Sequence, residues 1–274
     1  MTGGVGVLGE IVAVTRARVH ELRKALPLDR VLSMAPTPGA RRPLSRALRR
    51  EGRVNVIAEF KRRSPSRGPI RADLQPVRAA QDYEAAGAAA LSVLTEPQYF
   101  GGRIEDLQEA RAATLLPCLR KDFIVDPYQV WESWISGTDA LLLIVAALSD
   151  AELAMLLKTA EEAAIEALVE VHDGEELRRA VGAGARIIGV NNRDLRSLEV
   201  SLETSVRLAP EIPDHVVAVA ESGLKNGDDL RRLRDLGYDA FLVGEHLMQA
   251  AEPGQALEAM LVAAGDPGPR GPAR

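Results

Sequence analysis

The sequence predicts an α/β fold, a (β/α)8 TIM barrel preceded by an N-terminal helical extension. Three observations lead there. The 274 residues suit a single barrel domain. From Val54 onward, short apolar runs alternate strictly with amphipathic stretches, the pattern of βα units on a parallel sheet covered on both faces. The runs number eight, which favours a closed ring over an open doubly wound sheet.

The elements follow in order. Leu8, Ile11, Val12, Val19 and Leu22 lie at helical spacing between arginines, so Val7–Leu26 reads as an amphipathic helix that Pro27 helps to end. MAPTPGARRPL is a proline-rich connector, and a short second helix is expected over Leu44–Arg50. The strands are expected at Val54–Glu59, Ala89–Leu94, Leu115–Arg120, Ala140–Val145, Glu166–Val171, Arg186–Val190, Val216–Ala220 and Asp239–Val243. Stretches such as Asp173–Gly182 and Asn226–Gly237 are charged on one face and apolar on the other, and supply helices between them. Trp131, Trp134 and Met155 fall in helical stretches and are expected to pack on the barrel wall. Three units result: residues 1–50 as a helical extension over the barrel mouth, 51–264 as the catalytic barrel, and 265–274, rich in proline and glycine, as a disordered tail.

Composition narrows the function. The one cysteine, Cys118, allows no internal disulfide, and no Cys/His cluster has metal-ligand spacing. These features predict a cytoplasmic protein without a metal. The N-terminus lacks a basic segment followed by an apolar one, and no apolar run approaches the ~20 residues of a membrane span. A net charge of −5 gives no electrostatic reason to expect nucleic acid. An anionic small molecule would have to be held by a few local cations.

In a barrel of this kind the active site forms at the C-terminal strand ends, and polar residues appear there in turn. Glu59 and Lys61 end the first strand with a common side-chain direction, followed by Arg62, Arg63, Ser64 and Arg67. Phe100 lies in the second loop, Lys121 follows the third strand, and Glu170 ends the fifth. Asn191 and Arg193 follow the sixth, Glu221, Ser222 and Gly223 the seventh, and Gly244 and Glu245 the eighth. Any one such charge reads by itself as solvated surface; their convergence on one barrel face points to a site. His172, two residues after Glu170, reads as a residue behind the site or on the surface. His20, His215 and His246 carry no functional signal. The glycines after strands seven and eight suit phosphate binding through backbone N–H groups, with Ser64 as a further donor. Glu245 must then aim its carboxylate away from the anion.

The segments IAEFKRRSPSRG (57–68), SVLTEPQYFGG (92–102), LRKDFIVDPYQV (119–130), LLLIVAAL (141–148), ALVEVHD (167–173), IGVNNRDL (188–195), VAESGL (219–224) and FLVGEHLM (241–248) together resemble the indole-3-glycerol phosphate synthases, across all eight strands. The resemblance implies a carbon–carbon carboxy-lyase of tryptophan biosynthesis. It would convert 1-(2-carboxyphenylamino)-1-deoxyribulose 5-phosphate to indole-3-glycerol phosphate, carbon dioxide and water. By the same resemblance Lys121 is the general acid that protonates the ketone, and Glu170 is the base of the later dehydration. Lys61 pairs with the substrate carboxylate and assists the departing hydroxyl, while Glu59, Asn191 and Glu221 orient the lysines and the substrate hydroxyls. Arg193 supports the anionic end, Phe100 meets the aromatic ring, and Ser64, Ser222, Gly223, Gly244 and Glu245 form the phosphate pocket. Two positions depart from the family pattern: Gly101 where many relatives have Asn, and Glu245 where some have a small hydroxyl residue.

The chemistry needs neither cofactor nor metal. Electrons left by the departing carbon dioxide pass to the adjacent iminium-like centre, and an ammonium beside the ketone lowers the barrier by its field and by proton donation. Neighbouring lysines and partial burial are expected to bring the Lys121 pKa towards neutrality. The partner expected is a small phosphorylated molecule, with no nucleic acid or membrane, on a monomer or homodimer. A phosphoribosyl isomerase would share the acid/base and phosphate features without the Glu59, Lys61 and Lys121 combination. A silent scaffolding barrel would tolerate their loss.

Overall fold

A computed structural model describes residues 6–33, 41–64, 68–71, 73–195 and 197–268. Residues 34–40 of the connector, together with Pro65, Ser66 and Arg67, lie outside the described residues, as do 269–274 of the expected tail.

Eight parallel strands close into a ring: β1 (Asn55–Phe60), β2 (Ala90–Leu94), β3 (Cys118–Lys121), β4 (Ala140–Ile144), β5 (Glu166–Val171), β6 (Ile187–Asn191), β7 (Val217–Glu221) and β8 (Ala240–Val243). Each pairs with its sequence neighbours, and β1 closes the ring on β8 through Ile57 opposite Leu242. Alternate residues face opposite sides, which divides the apolar content in two. Ile57, Leu119, Leu142, Leu168, Ile187, Val219 and Leu242 fill the barrel interior. Val56, Leu141, Val169, Ile188 and Phe241 face the surrounding helices.

The third strand begins later than the sequence suggests. Pro117 has no N–H for the ladder, although its carbonyl accepts from Leu91 N. Leu115 is 82% exposed in the turn before it. Lys121, Asn191 and Glu221 are the final residues of their strands instead of the first residues beyond them, so the ladder itself fixes their backbones.

Side-chain caps start the helices that follow. Asp126 caps α7 (Pro127–Ile135), Ser149 and Glu152 form a capping box on α8 (Asp150–Glu162), Asp173 caps α9 (Gly174–Gly182), and Asn226 caps α11 (Gly227–Asp235). Trp131 and Trp134 of α7 pack against the core and meet each other edge to face, their centroids 5.9 Å apart. Met155 of α8 is 43% exposed, contrary to the expectation that it packs on the wall. It lies on the face of α8 opposite the buried Leu153 and Leu156.

The N-terminal extension divides between the two ends of the barrel. Helix α1 (Val7–Ala25) lies near the mouth, with Arg18 3.7 Å from Asp122, Arg23 3.0 Å from Asp126 and Arg16 2.8 Å from Glu152. Helix α3 (Leu44–Ala47) lies at the floor. Its Leu44, with Leu48, joins the interior cluster beside Ala90, Ala140 and Ala240, the first residues of β2, β4 and β8. Ser45 N and Oγ both donate to Glu166 at the start of β5. The expectation that all of 1–50 covers the mouth is therefore corrected for α3: two buried leucines on one short turn drive it under the ring. At the other end of the chain, Asp266 falls in the segment read as tail but is buried, accepting from Val54 N and Arg53 Nε. No helix among the described residues is long and apolar enough to cross a membrane.

Candidate active site

The C-terminal ends of the strands surround a cavity of about 950 Å³. It is lined by Glu59, Lys61, Phe100, Lys121, Glu170, Asn191, Arg193, Glu221, Ser222, Gly223, Gly244 and Glu245, which is every sequence-predicted site residue except Ser64. Ser64 sits in a two-stranded ribbon, paired with Gly68, and is buried away from the cavity lining. A smaller cavity of about 180 Å³ at the floor includes Arg49 and Asp239, which already pair with each other at 3.2 Å.

Two ammonium groups and three carboxylates make the polar centre. Lys61 Nζ lies 2.7 Å from Glu59 Oε1. Lys121 Nζ lies 2.7 Å from Glu221 Oε2 and 3.2 Å from Glu170 Oε2. Asn191, at the end of β6, accepts from Arg193 N through Oδ1 at 3.0 Å, and its side chain helps to hold down the proton affinity of Glu170. Such a cluster is tolerable inside a protein only because opposite charges are paired at contact distance.

Proton affinities follow from this arrangement. Burial alone would lower the Lys121 pKa, but Glu221, Glu170 and Glu59 outweigh it and raise the value above that of a free lysine. The expected drift towards neutrality is corrected accordingly: carboxylates, not other lysines, are the groups in contact with the amine. Burial pushes the Glu221 carboxyl up to about 7, with Lys121 opposing and Glu170 adding to the rise. Burial would raise Glu170 too, but Lys121 and then His172 hold it well below the usual range.

Two glycines make room for the carboxylates. A Cβ on Gly189 of β6 would come 2.1 Å from Glu221 Oε1, and one on Gly244 would come 2.2 Å from Glu59 Oε1. Neither position admits a side chain unless the acid moves.

One side of the cavity is apolar. Phe100 and Phe123 stand with ring centroids 6.2 Å apart, and Leu142 and Ile144 of β4 line the same space. Sequence reasoning missed Phe123, Leu142 and Ile144. For Leu142 and Ile144 the signal was available, since inward-facing residues of β4 recur two apart towards the strand's C-terminal end. It also passed over His246 and Leu8 of α1, both of which line the cavity.

The opposite side is a backbone cradle. Ser222 and Gly223 both have positive φ, 64° and 81°, a conformation ordinary side chains seldom adopt. A Cβ on Gly223 would also strike Val200 Cγ1 at 2.7 Å. Ser222, Gly223 and Gly244 line the cavity here, and a glycine lets an anion come close to the backbone. The Glu245 carboxylate pairs with Arg193, which donates to its Oε2 at 3.3 Å.

The model of the family described as "Indole-3-glycerol phosphate synthase" matches residues 8–260. The indole-3-glycerol phosphate synthase of Carboxydothermus hydrogenoformans is 46% identical over 261 residues, covering 93% of this chain and 99% of its own. That of Acidithiobacillus ferrooxidans is 48% identical over 255 residues, covering 92% and 97%. Among solved structures, a thiamine phosphate pyrophosphorylase from Pyrococcus furiosus superposes with a TM-score of 0.60 at 16% identity, over 78% of this chain and 96% of that one. At that identity the likeness concerns the fold alone.

Proposed function

This chain belongs to the indole-3-glycerol phosphate synthase family and is a decarboxylating lyase of tryptophan biosynthesis; we propose that its strand-end cavity closes the ring of 1-(2-carboxyphenylamino)-1-deoxyribulose 5-phosphate with Lys121 as the acid and Glu170 as the base. The observation that carries this reading is the Lys121 ammonium held between Glu221 and Glu170.

The steps follow from charge. The aryl ring lies along Phe100 and Phe123, its carboxylate meets Lys61, and its phosphate reaches the turn at Ser222, Gly223 and Gly244, with Arg193 supporting that end. Ser64 lies off the cavity lining. As the ring carbon attacks the ketone, negative charge grows on the ketone oxygen. A developing alkoxide is a far stronger base than an amine, so it draws a proton from Lys121 although Glu221 and Glu170 raise that amine's affinity. Breaking the carbon–carboxylate bond releases carbon dioxide and returns its electron pair to the iminium-like centre. The new hydroxyl then leaves as water, with Lys61 as proton donor, while Glu170 removes the proton whose loss completes the indole. A depressed pKa keeps Glu170 ionised and ready to accept it. Glu59 and Glu221 orient the two lysines, and Asn191 fixes Glu170.

The reading extends to a cytoplasmic enzyme, monomeric or homodimeric, with residues 51–264 as its catalytic unit and 1–50 as an accessory extension. It includes neither metal nor nucleic acid. The net charge of −5 supports the last point. The experiment is to mix purified protein with the substrate in EDTA and follow indole absorbance and fluorescence. Growth of the indole signal supports both the reaction and its independence of metal. Folded protein that gives no signal would return the isomerase and scaffold alternatives.

A further inference from the structure

His172 stands immediately beyond β5, two residues after Glu170 and with the same side-chain direction. Its side chain is largely buried, 12% exposed. Glu176 in the first turn of α9 accepts from His172 N at 2.8 Å and lies 2.9 Å from Nδ1. Glu176 is itself placed by Asp173, whose Oδ1 accepts from Glu176 N at 2.9 Å as the cap of that helix. The ring is thus gripped from behind, and Nε2 lies 3.3 Å from Glu170 Oε1. That approach has ion-pair distance without being aligned for a hydrogen bond. Lys121 meets the other oxygen, Oε2, at 3.2 Å.

We propose that His172 is a positioning residue for Glu170, set in place by Glu176, so that each oxygen of the base faces one cation. The inference rests on the reading of Glu170 as the base. Burial would lower the His172 pKa, but Glu170 and Glu176 raise it to about 10, making the ring an imidazolium at neutral pH. These two carboxylates, from β5 and α9, are the charged groups that face the ring; Glu170 is met in addition by Lys121 of β3 and Asn191 of β6. The arrangement accounts for an asymmetry at Lys121. Glu170 has a second cation and stays ionised, whereas among the described residues Glu221 is paired with Lys121 alone and its Oε1 has no hydrogen-bond partner. A fixed second cation leaves Glu170 oriented when substrate chemistry draws the proton from Lys121.

The experiment measures kcat and KM for Glu170→Gln, His172→Leu, Glu176→Gln and the Glu170→Gln/His172→Leu double variant, with thermal melts to verify folding. His172→Leu and Glu176→Gln are each expected to lower kcat roughly tenfold with KM little changed, a fraction of the roughly hundredfold effect of a whole acid–base group. In the Glu170→Gln background, His172→Leu is expected to add nothing, because its effect passes through that carboxylate. Normal kcat in His172→Leu beside a crippled Glu170→Gln overturns the positioning role and leaves the base assignment standing, as does a multiplying loss in the double variant. Full turnover in Glu170→Gln overturns the base assignment, and the positioning role with it. If His172→Leu does not fold, Glu176→Gln carries the same comparison.

Discussion

Lys121 and Glu221 close a contact across the barrel axis: their strands, β3 and β7, lie four places apart in the ring of eight, yet Nζ and Oε2 are 2.7 Å apart. Neighbouring strands could not have produced this approach from opposite walls. The pair spans the bore where β3 and β7 end, with Glu170 of β5 beside it at 3.2 Å. Any group that lands on the Lys121 amine must therefore do so in competition with two acids.

Removing that amine takes away the proposed proton donor and leaves two buried carboxylates without their shared cation. Lys121→Ala is expected to lose at least about a hundredfold in kcat, the scale of one acid catalyst. Indole formation under saturating substrate checks this. Near-normal turnover in folded variant protein would remove Lys121 from the acid role.

Gly189 carries no functional group, yet its missing side chain is the space occupied by Glu221 Oε1. Gly189→Ala should displace that carboxylate and lower kcat on the order of a hundredfold, the cost of misplacing a catalytic constellation by about 1 Å. Gly182→Ala, where an added Cβ meets nothing within 4 Å, is the matched control and should retain activity. Equal kinetics in the two variants would mean that Glu221 tolerates the shift.

The histidine behind Glu170 should leave a mark on alkaline stability. Its pKa rises from 6.5 to about 10 on folding. A raised pKa means that the folded state binds the proton more tightly, so its stabilisation is complete below the unfolded value and fades as pH climbs through the folded one. The melting-temperature difference between the parent protein and His172→Leu should accordingly be largest near pH 6 and shrink towards pH 10. A difference that stays flat over this range would show that the ring is neutral in the folded protein.

Asp139 tests how the floor is fastened. It is buried, and it accepts from Arg111 Nε and Nη2 at 3.0 and 2.9 Å, from Cys118 N at 3.0 Å and from Arg42 N at 3.0 Å. Asp139→Ala should cost roughly 3–5 kcal/mol, as removing one partner of a buried ion pair does. Urea denaturation checks it, and a loss under about 1 kcal/mol would place the arginine in water within the native state.

Much of this architecture was readable in the chain because it repeats. Eight apolar runs, and polar residues at the ends of the first, third and fifth to eighth of them, located the strands, and with them Lys121, Glu170, Asn191 and Glu221. What escaped reading depends on distance through space. The sense of the Lys121 shift is decided by carboxylates 49 and 100 residues away, which no local pattern announces. The His172–Glu176 contact is only four residues long, but it needs the turn between β5 and α9 to bring strand and helix together. Leu44 and Leu48 read as an ordinary apolar helix face, and nothing local says which end of the barrel they meet. Phe123 and Ile144 were legible in principle, by carrying the two-residue alternation to the last turn of each strand.

The floor has a consequence for traffic. With Leu44 and Leu48 set beneath a filled interior, the described residues stopper the barrel at its floor and leave the mouth as the way in. Carbon dioxide, water and the finished indole must all depart past the rim by which the substrate arrived. The escaping gas and the waiting product share that corridor with Leu8, so the order of departures is a matter for the rim and not for the stopper.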